Sequence, residues 1–575
     1  MKNLLFLCYL FVCWQSALAN YFIAISSTPK YQLNDTKFSY VQKNINTIGA
    51  VSLPAIGYFD SLYPFALKNQ GAMASDYLLY DTLFSQSMDE PLVAYGLIAK
   101  SVSISEDEKK VVFTLNPNAT FSDGSRITAD DVVASYKILV SSGSHPRYIN
   151  YYKDILAVQS NALHTVEFIL RNKNPELPFI IATTIPIFSK QWIADGVVST
   201  LSNKQPISSG AYLVDKYQFG KFIVYKRNEN YWARSLLVRN GMFNFSKITF
   251  KYFKDPTIAL QALQSGDIDW ISESNSKRWA TAYNRGGFIT SSLVAREFHY
   301  DNNAGMQGFS FNLRKLKFQN KNVRKAIALL FDFEWANRHL FYNQYVRSAS
   351  YFSNSIFGAK SNIQIPESIK NEFGNEVLYD SAYYEKILSS DFENRLKESL
   401  RLMEDAGVKS MNIELPLVQG GFERILHRYA YYLSLIGVTL RYKVYDFALY
   451  QQKINKFDYD MLVVTFPSGE RPGNELYNYF HSKSVNIEGQ DNYTGISNTT
   501  VDRLIDIVVR SNNSSALLKS TNLLDRVLMS QWLVVPNWYL NYHRVAYSSS
   551  LKHPSVLPKY YNALEWMLTT WWIEK

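Results

Sequence analysis

The stretch that decides the fold is Gly305–Asn337, GMQGFSFNLRKLKFQNKNVRKAIALLFDFEWAN. At its start, residues 308–313 alternate apolar and polar side chains, and this period of two predicts a half-buried strand. Residues 317–322 are polar and form a connection to the apolar run that follows. A strand followed by a short connection and a helix is the repeating unit of an α/β domain.

The end of the stretch predicts two short helices. Residues 323–330 carry apolar side chains at helical spacing, with Arg324 and Lys325 on the opposite face. Asp332 follows and is suited either to end this helix or to cap the next one, which we expect to run through Leu340. Any strand–helix unit of an α/β domain would show this periodicity. Evidence for a particular protein family must therefore come from the order of the residues.

That order resembles the segment that opens the second lobe of family 5 extracellular solute-binding proteins, the oligopeptide and dipeptide receptors of ABC importers. Residues 275–283, NSKRWATAY, and 302–308, NNAGMQG, are similar to the YejA-type branch of this family. The motif FSDGSRITADDV at residues 121–132 also resembles a family motif. Physically it predicts a turn at Asp123 and a helix capped by Thr128. The resemblance extends from about residue 48 to the end of the chain.

The resemblance implies an α/β fold, that of a two-lobed periplasmic binding protein (type II, cluster C-like) with an extra small lobe and a hinge of two crossings. Strands and helices alternate in the second lobe, which predicts a mainly parallel sheet there. The expected division is 1–19 signal peptide, 20–75 opening segment of the first lobe, 76–205 small extra lobe, 206–306 continuation of the first lobe, 307–535 second lobe and 536–575 return to the first lobe.

Residues 1–19 have the composition of a secretory signal peptide. Lys2 precedes an apolar run that is too short to span a membrane, and the segment ends in small residues suited to signal peptidase. An anchor helix and a lipoprotein processed at Cys13 are less favoured alternatives. Both cysteines, Cys8 and Cys13, lie inside this segment, so we expect a periplasmic protein without disulfides.

Charge and motifs argue against nucleic-acid binding and catalysis. The net charge of +10 is spread along the chain without a basic run, so no nucleic-acid partner is expected. The eight histidines form no H-E-x-x-H, and neither a G-x-S-x-G elbow nor a P-loop is present. We therefore predict no enzymatic activity, no catalytic residue, no cofactor and no metal. A secreted hydrolase with two distant carboxylates stays the alternative from another class.

Ligand contacts follow from the resemblance. The backbones of Phe59-Asp60-Ser61 and of Val464-Thr465-Phe466 are expected to pair with an extended peptide. In many peptide-binding relatives an Asp in the loop after the second segment binds the peptide amino group. Here that loop, residues 467–474, is PSGERPGN, so Glu470 is the acidic candidate, with a solvated Glu-Arg loop as the alternative.

Four further side chains are candidate ligand contacts. Arg278 would hold a carboxylate or phosphate through two hydrogen bonds, and Trp279 would form an apolar wall. The alternative for this pair is a buried Trp packed against the stem of the Arg. Asn474 and Tyr493 complete the predicted set.

The sequence thus predicts the periplasmic substrate-binding component of an ABC importer. It would capture oligopeptides or peptide conjugates between two lobes, as a monomer, and deliver them to an inner-membrane permease with a separate ATPase. A receptor for a sugar, haem or a nickel chelate is the alternative within the same class.

Overall fold

The structure is a computed structural model that describes residues 19–25, 28–42, 45, 49–65, 70–141, 144, 146–194, 204–283, 292–359, 363–418, 422–511 and 513–574. Both cysteines and the predicted signal peptide up to residue 18 lie outside the described residues. The chain divides into two compact units. The first comprises Met1–Val51, Ala55–Ser87 and Val93–Asp255, and the second comprises Ser52–Pro54, Met88–Leu92 and Pro256–Lys575.

In the described part of the first unit, the strands form three sheets. Its strands are β1 (Phe22–Ala24), β2 (Ala50–Ile56, of which Ser52–Pro54 belong to the second unit), β3 (Phe84–Gln86), β4 (Val93–Gly96), β5 (Ala99–Ile104), β6 (Lys110–Leu115), β7 (Ile155–Ala162), β8 (Thr165–Leu170), β9 (Tyr212–Gln218), β10 (Phe222–Arg227) and β11 (Lys247–Phe253). Its helices are α1 (Ser75–Leu79), α2 (Ala129–Leu139), α3 (Pro146–Tyr151), α4 (Leu177–Thr184) and α5 (Lys190–Ala194). The strand orders are β1-β4-β3, β2-β11-β10-β9 and β5-β6-β8-β7.

The turn and cap predicted from FSDGSRITADDV are confirmed. Gly124 has φ +85°, a conformation that glycine adopts readily, and Thr120 bridges Arg126 across the turn. The N–H of Thr128 donates to Asp131 Oδ2 (2.9 Å), as in a capping box, and α2 starts at the next residue. The motif therefore fixes local structure in the first unit and supplies no chemistry.

The second unit contains the decisive stretch. Its strands are β12 (Trp270–Ser272), β13 (Leu293–His299), β14 (Met306–Phe311), β15 (Val346–Arg347), β16 (Met411–Leu417), β17 (Val438–Val444), β18 (Met461–Phe466), β19 (Val534–Pro536), β20 (Trp538–Tyr539), β21 (Tyr542–Ser548), β22 (Leu551–Lys552) and β23 (Trp572–Ile573). Its helices are α6 (Pro256–Gln264), α7 (Ser276–Arg278), α8 (Lys321–Leu329), α9 (Phe333–His339), α10 (Glu367–Phe373), α11 (Ser381–Leu388), α12 (Phe392–Asp405), α13 (Glu423–Ser434), α14 (Phe447–Asn455), α15 (Glu475–Phe480), α16 (Thr499–Arg510), α17 (Ser514–Ser530) and α18 (Ala563–Thr570). A π-helical turn, Trp279–Tyr283, continues α7, and 3-10 turns occupy Leu316–Phe318, Asn375–Leu378 and Ser482–Ser484.

The prediction of a mainly parallel sheet in this region is wrong. Strands β16 and β17 do run parallel. The central sheet, however, has the order β18-β14-β19, and β14 pairs with both neighbours in antiparallel fashion. The side chains of β14 are also buried along almost its whole length, so it is not the half-buried strand that the alternation predicts.

The helices of the decisive stretch form where predicted, but the predicted exposure of Arg324 is wrong. Asp332 caps α9 by accepting a hydrogen bond from the Trp335 N–H (3.3 Å). The spacing predicts Arg324 opposite the apolar face, yet this residue is only 2% exposed. Its guanidinium donates to the carbonyls of Phe318, Gln319, Gln531 and Trp532, which replace its hydration.

One hydrophobic core of the second unit is formed by apolar side chains between Met306 and Val535. It joins β14, β18 and β19 to the helices that follow them in sequence. The six-segment division expected from the sequence is finer than the two units and stays a prediction.

Candidate functional site

The loop after β18 places Glu470 against the segment that leads into β14. Glu470 Oε1 accepts a hydrogen bond from the Asn303 N–H (3.1 Å), and Asn303 Nδ2 donates to the Gly469 carbonyl (3.0 Å). Asn303 Oδ1 in turn accepts from the Gly305 N–H (3.0 Å). One asparagine therefore holds both chain segments and fixes the position of the Glu470 carboxyl group.

The surroundings of Glu470 disfavour its charged form. The pKa of this carboxyl is raised to about 7, mainly by burial and in smaller part by the nearby Asp301 carboxylate, while the hydrogen bond from the Asn303 N–H opposes the shift. Within the described chain no Lys or Arg lies within ion-pair distance of Glu470. Its neighbour Arg471 is buried and directs Nη2 at the Ser511 carbonyl (2.9 Å). The structure therefore differs from a solvated Glu-Arg pair at this loop.

The predicted peptide-pairing segment Val464–Phe466 lies on β18, which is an edge strand of its sheet in the described regions of the chain. Thr465 is exposed, whereas Val464 and Phe466 are buried. Gly305 has φ +65°, and a Cβ atom there would lie 2.2 Å from the Phe466 carbonyl oxygen. Only glycine permits this approach of two backbones, and the approach sets the start of the Glu470 loop.

Aromatic rings surround the end of β18. The Phe466 ring lies 5.0 Å from Phe480, 5.5 Å from Tyr479 and 6.1 Å from Tyr493, measured between centroids. Together with Pro467 and Ser468 of the loop, three of these rings, Phe466, Tyr479 and Phe480, line a shallow depression that has room for little more than a water molecule. Tyr493 is half-buried, and its hydroxyl donates to Asp491 Oδ1 (2.7 Å). Asn474 is exposed and directly precedes α15.

Arg278 and Trp279 are engaged within the second unit. Arg278 Nε and Nη2 donate to the two oxygens of the buried Glu273 (2.6 and 2.9 Å). Trp279 is 2% exposed, and its indole N–H donates to Glu297 (3.0 Å). These contacts resemble the packing alternative more than a ligand site, so their role in binding stays a prediction.

The segment Phe59–Ser61 belongs to the first unit and already uses much of its backbone. The N–H groups of Asp60 and Ser61 both donate to the Gln70 carbonyl (3.0 and 3.2 Å), and the Ser61 carbonyl accepts from Ala72 (3.1 Å). Phe59 is buried and stacks on Tyr252 at 4.8 Å. Pairing of this segment with a peptide also stays a prediction.

A side chain that the sequence does not single out is Arg347 on β15. It is 4% exposed, yet two of its nitrogens have no hydrogen-bond partner in the described chain. The only signal in the sequence is a charged residue inside the otherwise uncharged run YNQYVRSASYF. Such a residue is noticed only when its surroundings are known.

The sequence of residues 94–487, more than half of the chain, matches the family described as bacterial extracellular solute-binding proteins, family 5 Middle. The chain belongs to this family. Relatives of this solute-binding protein include YejA of Escherichia coli (strain K12), 29% identical over 582 residues, which cover 97% of this chain and 94% of YejA. The peptidoglycan-binding protein YepA of Agrobacterium fabrum is 28% identical over 585 residues, which cover 96% of this chain and 94% of YepA. The predicted family and its YejA-type branch are confirmed.

The fold of this family 5 protein is also that of solved binding proteins. The oligopeptide-binding protein AppA from Bacillus subtilis, in complex with a nonapeptide, matches with a TM-score of 0.62 at 19% identity, over 92% of this chain and 99% of AppA. Identity at this level shows the fold alone. The mixed α/β fold expected for a two-lobed solute-binding protein is thereby confirmed.

Family membership establishes a receptor class. Family 5 proteins are extracellular solute receptors of the kind that serves ABC importers, and the family is not one of enzymes. Among the residues that the structure describes, no helix combines the length and apolarity needed to cross a membrane.

Proposed function

We propose that this solute-binding protein binds peptides or peptide conjugates and delivers them to an inner-membrane permease driven by a separate ATPase. The observation that carries the proposal is Glu470, a half-buried carboxyl group held by Asn303 and without a cationic partner among the described residues. A desolvated carboxylate is stabilised by an incoming ammonium group, such as a peptide amino terminus. The name of YepA and the nonapeptide of AppA support a peptide-containing ligand.

In this proposal the edge strand β18 and the loop that contains Glu470 recognise different parts of the ligand. The free edge of β18 at Val464–Phe466 pairs with the ligand main chain, which every peptide offers regardless of its sequence. The rings of Phe466 and Tyr493 contact apolar groups of the ligand. Glu470 fixes the end of the chain by binding its amino group. No bond is made or broken, so the ligand is released unchanged.

The first test identifies the natural ligand and then removes the carboxylate. Native mass spectrometry of protein purified gently from its own periplasm should show a bound mass that fragments as a peptide or muropeptide. Calorimetry with that ligand should show a loss of affinity of about thirtyfold or more for Glu470→Gln, because truncating one partner of a buried charge pair costs about 2–5 kcal/mol. N-acetylation of the ligand should weaken wild-type binding by a similar factor.

The matched control is Glu393→Gln, whose side chain is 74% exposed and which should leave the affinity unchanged. Equal affinity of wild type and Glu470→Gln for the free-amine ligand would exclude the proposed role of Glu470. A bound sugar, haem or metal chelate would instead overturn the peptide assignment. A product that accumulates with time would favour the hydrolase alternative.

We place the mature protein in the periplasm, with cleavage after Ala19. Sequencing of the purified protein should begin at Asn20, and its mass in solution should be that of a monomer.

A further inference from the structure

The strongest candidate for an unassigned binding group is the guanidinium of Arg347. Arg347 lies on β15 directly opposite Trp538 on β20. The guanidinium carbon lies 5.3 Å from the ring centre of Phe331 and 5.5 Å from that of Phe333. Its Nη1 donates to the Phe331 carbonyl (3.2 Å), whereas Nε and Nη2 are buried without a hydrogen-bond partner in the described chain. A buried cation with two unused donors is unfavourable for folding alone.

The acidic residues near Arg347 compensate its charge only in part, and none forms an ion pair with it among the described residues. Arg395 donates to the same Phe331 carbonyl (3.4 Å) and is the residue that pairs with Asp332 (3.5 Å). Glu334 accepts a hydrogen bond from the Ser389 hydroxyl (2.9 Å) and forms no ion pair with Arg347. Burial, and after it the positive charge of Arg395, lower the pKa of Arg347 to about 9, although the negative charges of Glu334 and Asp332 partly oppose this shift. An additional anion would relieve both effects.

The two unused nitrogens are the pair with which arginine holds a carboxylate. Nε and Nη2 point in the same direction and form a fork that matches two carboxylate oxygens. Three other described arginines use the same fork in this way: Arg278 on Glu273, Arg227 on Glu229 and Arg401 on Glu398. The buried Arg324 instead satisfies its donors with backbone carbonyls. Arg347 has neither type of partner for its fork among the described residues.

Aromatic rings next to Arg347 reach the molecular surface. Trp538 stacks on Phe331 and Phe333, the two rings whose centres lie closest to the guanidinium in the distances given above. Around Trp538 are three more rings, with centroids 4.7–6.1 Å away, and all four rings are half-buried rather than buried: Phe341, Tyr345, Phe422 and Trp538. A ligand that contacts these rings would therefore lie next to Phe331 and Phe333, the two rings beside the guanidinium.

We propose that the Nε–Nη2 fork of Arg347 binds a carboxylate of the ligand, while the half-buried rings around Trp538 contact an apolar group of the same ligand. This inference rests on the proposed peptide function and deepens it, because it assigns an acidic group to the ligand. The carboxylate comes either from the carboxyl terminus of the peptide or from an acidic side chain, and both have the same chemistry. The fork is thus a binding device that the fold keeps at the expense of stability.

The experiment compares Arg347→Met and Arg347→Lys with wild type in the full mature chain. Binding is measured by native mass spectrometry with pools of three- to five-residue peptides, made as free acids or as carboxyl-terminal amides, each with and without Asp or Glu. Wild type should favour carboxylate-bearing peptides at least tenfold over neutral amides. Both variants should lose this preference, since Lys keeps the charge but has no fork. Preference for acid termini or for acidic side chains tells which source is bound.

The unfolding temperature of the ligand-free protein tells whether Arg347 serves ligand binding or the stability of the fold. Arg347→Met should unfold at the same temperature as wild type or a higher one, because it removes an uncompensated buried charge. Arg324→Met, the matched control, should unfold at a lower temperature, since its carbonyl partners lose their donor. The inference is overturned if Arg347→Met loses as much stability as Arg324→Met, or if it retains the preference for carboxylates. If no pool binds to wild type, the peptide function itself fails and the inference fails with it.

Discussion

Replacing Arg324 by methionine is expected to destabilise the second unit by about 3 kcal/mol. The guanidinium makes five hydrogen bonds of 2.6–3.2 Å to four backbone carbonyls. Two of these carbonyls, of Gln531 and Trp532, follow the last turn of α17, and the other two lie at the turn before α8. Arg324 therefore caps one helix and ties it to another.

The magnitude follows from two opposing effects. Each carbonyl left unsatisfied in the core costs about 1–3 kcal/mol. The variant also has no guanidinium to desolvate on folding, which adds several kcal/mol to its free energy of unfolding and offsets part of this loss. Methionine also fills much of the volume of the arginine stem and avoids a large cavity. The net loss of about 3 kcal/mol lies within the range expected when a buried hydrogen-bond network is broken.

Urea unfolding followed by tryptophan fluorescence measures this loss, because Trp532 adjoins the network. The midpoint should fall without a change in the slope of the unfolding free energy against urea, which would show that the unfolded state is unaffected. Arg401→Met is the matched control, since Arg401 is more than half exposed and its ion pairs on α12 are worth less than about 1 kcal/mol. A loss for Arg324→Met no larger than that of Arg401→Met would refute the reasoning.

Three further perturbations test other regions of the structure. Gly305→Ala should cost about 2 kcal/mol or more, because its Cβ would lie 2.2 Å from the Phe466 carbonyl oxygen. Gly220→Ala, at a similar φ of +70° but with no atom within 4 Å, should show only the backbone strain of about 1 kcal/mol in the same urea titration. Burial raises the pKa of Asp525 to about 6, above its usual 3.8. Its contribution to stability should therefore be complete below pH ~4 and be lost as the pH rises through about 6. It amounts to about 3 kcal/mol at most, and Asp525→Asn should remove this slope from unfolding curves measured at several pH values. Affinity for a peptide with a free amino group should fall as the pH drops below about 7, because Glu470 becomes protonated, and calorimetry should find no such dependence in Glu470→Gln.

Local patterns are enough to predict most of the helices. The apolar spacing before Asp332 and the capping chemistry of Asp332 and Thr128 act within a few residues, so the structure of α2, α8 and α9 follows from nearby sequence. The order of the family motifs predicts the fold for a different reason. It compares the whole chain with other chains and does not depend on one local interaction.

Strand direction and buried arginines cannot be predicted in the same way. The partners of β14 are β18 and β19, which lie far away in sequence, and the local alternation contains no information on their direction. Arg324 belongs to a residue type that is almost never buried without partners. Its partners are backbone carbonyls, which every residue has, and so the sequence offers no sign of them.

The candidate site shows the same division. Glu470 is detectable in the sequence because the loop after a predicted strand has an acidic residue where relatives have an Asp. Arg347 is not detectable there, since its importance depends on what is absent around its fork in the described chain. Both groups are desolvated, one acidic and one basic, both lie in the second unit, and neither has an ion-pair partner among the described residues. Folding gains nothing from either arrangement. A peptide carries an ammonium group at one end, which is the partner that Glu470 lacks, and a carboxylate at the other, which is the partner that Arg347 lacks.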